Sequence, residues 1–140
     1  MPGKLLLEVV TPDRLLLSRE VDEVIAPGSE GEFGVLPGHA YFISTLKIGE
    51  LRYRVGDTVH YMSMLWGYAD VTPTKVTILA EIAEKAEDID VERAAAAVEV
   101  AEKRLEVGGL PSEVETAKIS LEKARLRKKV AERMKKSQAH

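Results

Sequence analysis

Short apolar stretches separated by turn residues fill the first part of the chain. Between residues 49 and 55, Leu51 and Tyr53 alternate with Glu50 and other charged residues, which predicts a strand with one buried and one wet face. Gly56-Asp57 follows where a hairpin turn is expected. Many short strands with frequent turn signals indicate a β-sandwich or a flattened barrel. The other apolar runs cover residues 4–10, 14–19, 21–25, 41–46, 58–64, 66–71 and 75–82.

Three glycines, Gly28, Gly31 and Gly34, recur at every third position between two of these runs. They do not open a helix, and the chain has no Gly-Lys-Ser/Thr sequence of a P-loop. We therefore expect a looping edge of the β-structure at this segment, not a phosphate-binding loop.

Near Glu87 the spacing of apolar residues changes from the two-residue period of a strand to the period of a helix. The stripe comprises Val91, Ala94, Ala95, Val98, Ala101 and Leu105. Asp88 or Asp90 can cap this helix, and Gly108-Gly109 is typical of a helix end.

A second helix follows the turn at Leu110-Pro111. Ser112 and Glu115 match a capping box, and the apolar stripe of this helix is Val114, Ala117, Leu121 and Ala124, with an end near Lys136. A short connection predicts an antiparallel two-helix hairpin. The sequence thus predicts an α+β chain with two domains, a β-domain over residues 1–86 and a helical hairpin over 87–140.

Small residues dominate the inner face of the hairpin, with four consecutive alanines at 94–97. A buried Leu-sized side chain contributes roughly 1.5–3 kcal/mol, and an alanine contributes far less. The hairpin is therefore expected to be marginally stable. Two interpretations remain open: a hairpin that detaches or rearranges, and one that packs permanently on the β-domain.

Charge is unevenly distributed along the chain. Residues 1–88 carry 8 basic and 14 acidic side chains, whereas residues 89–140 carry 12 basic and 9 acidic ones. The basic second helix suggests an anionic partner, such as nucleic acid, a nucleotide or an acidic protein surface, or else a solvated helix face. With no cysteine, no signal-peptide pattern and no apolar run near the roughly 20 residues that span a bilayer, a soluble intracellular protein is expected.

No nucleophile–base arrangement suggests catalysis, so the sequence indicates a protein that is not an enzyme. His39 and His60 are isolated and lack ligand spacing, so no metal site is expected. Asp90 and Arg93 lie one helical turn apart, where an arginine can hold a phosphate and an aspartate can accept a hydrogen bond. A local surface ion pair explains the same spacing.

Several stretches in order resemble the epsilon subunit of bacterial F-type ATP synthases. The segments that carry the resemblance are Gly28–Ala40 (GSEGEFGVLPGHA), Leu46–Gly49, Trp66–Val71 and Ile89–Ala94 (IDVERA). The resemblance covers nearly the whole chain. It implies an antiparallel β-sandwich of about ten strands followed by an antiparallel two-helix hairpin, in a non-catalytic central-stalk subunit that couples proton-driven rotation to ATP synthesis.

The resemblance also implies partners and contact residues. The partners are the gamma subunit, the c-ring and the alpha/beta catalytic hexamer, with a peripheral location on the cytoplasmic face of the bacterial inner membrane. The implied c-ring contact residues are Glu30, Gly31, Glu32 and His39.

The helices of this family can fold down or extend, and the extended form inhibits ATP hydrolysis. For this inhibitory contact the basic face of the second helix offers Arg125, Lys128, Lys129 and Arg133. In some members ATP is a regulatory ligand of the hairpin, and the matching residues here are Asp90, Arg93, Lys123 and Arg127. Val100 stands where nucleotide-binding members have an arginine, and Lys123 replaces another. No cofactor is required.

Two other functional classes compete with this assignment. A nucleic-acid-binding module that uses the basic helix predicts strongly salt-dependent binding. A small β-sandwich enzyme is the third class, and the missing catalytic arrangement counts against it.

Overall fold

The chain consists of two compact units with a boundary between Glu84 and Lys85. The computed structural model describes the backbone of residues 3–138 and the side chains of residues 3–133. Eight strands are present in this described part: β1 (Leu5–Val10), β2 (Leu15–Val21), β3 (Glu23–Gly28), β4 (Gly31–Val35), β5 (Phe42–Leu46), β6 (Gly49–Val55), β7 (Thr58–Val71) and β8 (Lys75–Lys85). A short 3-10 turn at Ala86–Asp88 is followed by helices α1 (Val91–Val107) and α2 (Pro111–Gln138). The predicted α+β class, a sandwich followed by two helices, is confirmed, with eight described strands against about ten expected.

The strands form one continuous hydrogen-bonded sheet that folds into the sandwich. Its order is β2-β1-β8-β7-β5-β3-β4, and β6 pairs with both β3 and β7. The pairing of β1 with β8 is parallel, with Val9 beside Ile78, whereas the neighbouring β1–β2 pair is antiparallel. The first and last strands of the sandwich are therefore direct neighbours.

Strand β7 is one long, bent strand where the sequence predicted two. Its first half, through Met64, pairs with β6, and its second half, from Gly67, pairs with β5. Between the halves Trp66 has a φ of 44°, which is uncommon for a residue with a side chain. At Gly67 an added Cβ would lie 1.8 Å from the carbonyl oxygen of Leu79, so glycine allows β8 to approach. The bend lets one strand serve two parts of the sheet.

The segment that contains Gly28, Gly31 and Gly34 forms a β-hairpin. This corrects the looping edge that the sequence predicted there. Gly28 ends β3 and pairs with Gly31 at the start of β4, where Gly31 has a φ of 129°. A Cβ on Gly28 would lie 2.6 Å from the carbonyl oxygen of Gly31. Glycines thus permit a tight turn between two paired strands, and their lack of side chains concealed the strand pattern.

Large aliphatic side chains fill the sandwich core. Leu5, Leu7, Leu51, Met64 and Ile78 are all inaccessible to solvent. Tyr53 is buried as the alternation predicted, but Glu50, expected on the wet face, is only 6% exposed. The prediction failed there because Glu50 lies directly across from Ser63 of β7, which is itself fully buried.

One core cluster of the hairpin is built from the predicted stripes, while Leu126 and Val130 are buried in α2 outside its predicted stripe. Val98 and Ala101 of α1 pack with Leu121 and Ala124 of α2, and Ala97 and Leu105 lie at the edge of this cluster. Asp90 caps α1, because its Oδ1 accepts the backbone N–H of Arg93 at 3.2 Å.

The turn between the helices combines a confirmed and a corrected prediction. Gly108 ends α1 with a φ of 74°, as the Gly-Gly sequence predicted. Ser112 is not the N-cap of α2, because the helix begins at Pro111. Proline suits this first helical position, since its fixed φ is helical and its missing N–H has no partner to lose.

Candidate functional site

The predicted contact residues lie at the exposed tip of the β3–β4 hairpin, with Glu30 in the turn and Gly31 and Glu32 at the start of β4. Glu30 has no ion pair within residues 3–133. Ser29 fixes the base of the turn, since its N–H donates to the Thr45 carbonyl at 2.9 Å and Thr45 Oγ1 donates to Ser29 Oγ at 2.8 Å. The turn is therefore an acidic projection with an ordered base.

Glu32 differs from Glu30 because it has a partner. Arg52 Nη2 donates to Glu32 Oε1 at 2.8 Å, while the Glu32 side chain remains 54% exposed. Arg52 Nε also lies 3.8 Å from Oε1 of the buried Glu50. The alternation at 49–55 predicts a wet face for the charged residues of β6, and the sheet register brings Arg52 of that face together with Glu32.

His39 lies in the loop after β4 and joins this region through an aromatic contact. Its Nδ1 is 2.7 Å from the Ala40 carbonyl oxygen, so the tautomer with a proton on Nδ1 fits. The Phe42 ring packs edge-on to Phe33 at 5.1 Å and to His39 at 6.1 Å between centroids. Phe33 follows Glu32 directly, so β4 and the His39 loop are held together at one end of the sandwich.

An exposed apolar surface, which the sequence did not single out, lies on the outer side of β5 and β7. Ile43 pairs with Asp70, and the neighbouring Thr45 pairs with Tyr68, so these side chains share one face. Ile43 is 74% exposed and Tyr68 is 50% exposed. Trp66 and Tyr68 also line a groove of about 380 Å³. Clustered exposed apolar side chains of this kind mark protein-contact surfaces.

The hairpin keeps the Asp90 carboxylate and the Arg93 guanidinium separate. Asp90 is engaged with the backbone of Arg93, and no ion pair joins their side chains within the described part of the chain. The sequence alternative of a local ion pair is therefore wrong, and the exposed guanidinium is left available.

The antiparallel register of the two helices places the other candidate residues, Lys123 and Arg127, toward the end of the hairpin that contains Asp90 and Arg93. The contact of Val98 and Ala101 with Leu121 and Ala124 sets α1 and α2 antiparallel, which puts Arg127 near the level of the start of α1. Lys123 lies about one turn closer to Gly108. A groove of about 680 Å³ exists at the other end, and Val100 and Arg104 line it without any of the four candidate residues.

The basic residues of α2 do not form one surface. Arg125, Lys129 and Arg133 recur every four residues and so follow one face, with Lys128 beside them. Lys123 and Arg127 lie about 160° around the helix from Arg125. Arg125 and Lys129 are exposed, whereas Lys123 and Arg127 are half-buried. The two predicted roles of this helix therefore fall on different faces.

Neither helix of the described chain is both long and apolar enough to span a membrane.

Comparison with known proteins gives one consistent result. The family model of the ATP synthase delta/epsilon chain β-sandwich domain matches residues 4–86, and that of its long α-helix domain matches residues 87–132. The ATP synthase epsilon chain of Syntrophobacter fumaroxidans is 53% identical over 133 residues, which cover 95% of this chain and 99% of that one. The epsilon chain of Citrifermentans bemidjiense is 51% identical over 134 residues, which cover 94% and 96%.

A solved structure agrees with these sequence comparisons. The fold matches a chain of the Euglena gracilis mitochondrial ATP synthase, solved by cryo-electron microscopy as OSCP/F1/c-ring in rotational state 1. The TM-score is 0.79 at 27% identity, over 89% of this chain and 79% of that one. No comparison supports the nucleic-acid alternative.

Proposed function

The chain belongs to the family of ATP synthase epsilon chains, and on this premise we propose that it is a non-catalytic subunit of the central stalk. In this role it couples proton-driven rotation to ATP synthesis. The observation that carries the proposal is the match of both units, in order, to the two domains of the family. The test is to add the full chain to an ATP synthase that lacks this subunit. Proton pumping per ATP hydrolysed should rise, while the chain alone should hydrolyse no ATP.

Peripheral attachment to the membrane follows from this proposal. The chain would reach the cytoplasmic face of the bacterial inner membrane through its partners. Washing membranes with a chaotropic salt should then release it together with the catalytic subunits. Retention after all other peripheral subunits have been removed would contradict the proposal.

The β3–β4 turn is proposed to contact the polar loops of the c-ring through Glu30, Gly31 and Glu32, with His39 beside it. Two exposed carboxylates on an ordered turn suit a cationic partner loop. Replacing Glu32 with glutamine should reduce proton pumping more than ATP hydrolysis. A control is Glu20→Gln, an exposed carboxylate on β2 outside this turn. Equal effects of the two variants would argue against this contact.

The apolar face around Ile43 and Tyr68 is proposed to dock the gamma subunit. An exposed tyrosine and isoleucine beside Asp70 offer the apolar centre and polar rim of a protein interface. Replacing Ile43 with aspartate should release the chain from gamma in a pull-down. The matched control is Val59→Asp, a less exposed apolar residue in the first half of β7. Release by both variants alike would contradict the assignment of this face.

The hairpin is proposed to be regulatory and, when extended, to inhibit ATP hydrolysis by the alpha/beta hexamer. The basic face of α2, formed by Arg125, Lys128, Lys129 and Arg133, would meet acidic loops of the catalytic subunits. Replacing Arg125 and Lys129 with glutamine should relieve inhibition in the reconstituted enzyme. Lys103 and Arg104 of α1, replaced likewise, provide the control pair. Unchanged inhibition in the first variant would refute this role.

ATP is proposed as a regulatory ligand of the folded hairpin, bound by Asp90, Arg93, Lys123 and Arg127. The free guanidinium of Arg93 and the position of Arg127 near the same hairpin end support this. Because Lys123 cannot form the bidentate contacts of an arginine, the affinity should be low. Calorimetry at millimolar ATP should show binding that Arg93→Ala removes and Arg104→Ala leaves. No heat of binding in the unmodified chain would refute the proposal.

A further inference from the structure

The carboxylate of Glu32 is held by an arginine of its own sandwich, and the sheet register explains why. Arg52 of β6 pairs with Ile25 of β3, and Ile25 pairs in turn with Gly34 of β4. Glu32 lies two residues from Gly34 and therefore on the same face of the sheet. The 2.8 Å contact between Arg52 Nη2 and Glu32 Oε1 thus bridges from β6 to β4 across the intervening strand.

The buried side of the Arg52 guanidinium lies close to a second carboxylate, that of Glu50. Its Nε is 3.8 Å from Glu50 Oε1, and the Glu50 side chain is 4% exposed, whereas that of Arg52 is 27% exposed. Withdrawing a cation from a buried carboxylate is costly. Among the described residues Nε has no hydrogen-bond partner, so charge alone holds this side of the guanidinium. The arginine therefore stays near Glu50 and extends its outer nitrogen toward solvent and Glu32.

We infer that Arg52 is a positioning residue for the partner contact of Glu32, an inference that rests on the proposed c-ring contact. One nitrogen of Arg52 occupies Oε1 and fixes the Glu32 side chain, which leaves Oε2 for a cationic group of the partner. The contact with the partner is then made to a carboxylate that Arg52 has partly neutralised, with Oε2 as the oxygen that Arg52 leaves open. A flexible glutamate would lose more rotamer freedom on binding than one already held in place.

The neighbouring Arg54 provides a matched control on the same strand and face. Its guanidinium lies near Glu23 at 3.5 Å and Asp22 at 3.9 Å, and it donates to the Gly56 carbonyl at 3.0 Å. These contacts are on the side of the β6–β7 turn, away from Glu32. Arg54→Ala therefore removes an equivalent paired arginine without touching the proposed contact.

The first experiment is a double-mutant cycle on the affinity of the full chain for purified c-ring in detergent. Arg52→Ala should weaken binding about two- to five-fold, the effect expected for a partly exposed ion pair. In the Glu32→Gln background the same change should have no further effect. A purely structural role would weaken binding by the same factor in both backgrounds, and that result, or tighter binding by Arg52→Ala, would overturn the inference. Arg54→Ala should show no coupling to Glu32.

A second measurement decides the positioning role without any partner. Side-chain NMR relaxation of Glu32 should show one ordered rotamer in the unmodified chain, averaging in Arg52→Ala and no change in Arg54→Ala. A Glu32 side chain that already averages between rotamers would overturn the inference, whatever the c-ring does. If instead Glu32 is ordered by Arg52 and Glu32→Gln keeps full affinity, the positioning stands and the proposed c-ring contact fails.

Discussion

The sandwich and the hairpin differ in the size of the side chains that hold them together. Leu5, Leu7, Leu51 and Met64 are inaccessible to solvent inside the sandwich, while one core cluster of the hairpin combines Val98 and Leu121 with two alanines. The hydrophobic contribution scales with apolar area, so one buried leucine outweighs several alanines. We therefore expect the helices of the hairpin to separate at a lower cost in free energy than the strands of the sandwich.

Equivalent leucine-to-alanine changes in the two cores give the largest expected effect. Leu51→Ala should destabilise the sandwich by about 2–5 kcal/mol, because it leaves a cavity among large neighbours. Leu121→Ala in the hairpin should cost near the lower end of that range, about 2 kcal/mol, yet open the helices fully. Residue-resolved hydrogen exchange measures both. Equal protection of the backbone amides in the two units of the unmodified chain would contradict the expected difference in stability.

The close approach at Gly67 gives the next largest effect. A Cβ there meets the backbone of β8, and backbone cannot rotate away, so Gly67→Ala should cost about 3 kcal/mol. Urea unfolding of the sandwich would measure the loss. Gly34→Ala is the control, because its Cβ would find only Ile25 Cγ1 at 4.0 Å. A similar loss of stability in both variants would show that a steric clash of the added Cβ is not the reason for the effect.

The helix connection gives a smaller effect, confined to the hairpin. Gly108 has a φ of 74° and a ψ of −141°, a backbone region that essentially only glycine adopts, so Gly108→Ala should cost about 1–3 kcal/mol and reduce amide protection in α1 and α2 only. Gly56→Ala, in the β6–β7 turn with a φ of 61°, imposes similar strain on the sandwich. The larger core of the sandwich should absorb that strain, whereas the hairpin should lose most of its helix protection. Comparable loss of protection in both units would contradict the difference in stability.

The smallest expected effect concerns acid and the sandwich alone. The hydrogen bond from Lys4 Nζ, at 2.6 Å, and then that from the Gly56 N–H hold the pKa of Asp22 below its ordinary value of 3.8. A lowered folded-state pKa means that this stabilisation is present above about pH 4 and is lost as the pH falls below 3.8 toward the folded-state value. The melting temperature of Asp22→Asn should therefore fall less between pH 5 and pH 2.5 than that of Asp13→Asn, which is the control. Identical pH profiles of the two variants would exclude Asp22 as a contributor.

Local pattern predicted most of the elements, but it missed β4 and did not predict the long-range pairing of the strands. The alternation at 49–55 gave β6 with its observed ends, and the stripe through Val98 and Ala101 gave the hairpin core. The bend at Trp66 broke the alternation, so one strand was taken as two. The parallel pairing of β1 with β8 left no trace in either segment, because register between distant strands depends on the whole sheet.

The candidate site was predicted only in part, for the same reason. The resemblance singles out Glu30 and Glu32, and both are exposed, one in the turn and one in β4, while their contact with the c-ring stays a proposal. The alternation at 49–55 predicts a solvated Arg52, whereas its partners come from β4 and from a buried position on its own strand. A charged residue such as Glu50 in an otherwise regular strand pattern gives no local sign that it is buried.

The parallel pairing of β1 with β8 determines when the sandwich can close during synthesis. Leu7 cannot pair with Val76 until the ribosome has made nearly the whole β-unit. Strand β1 therefore stays without β8 until most of the unit has been synthesised. Such non-local pairing closes in milliseconds to seconds once the strands are available. At about 5–20 residues per second, translation of the hairpin takes several seconds more. The sandwich therefore has time to form before α2 is complete.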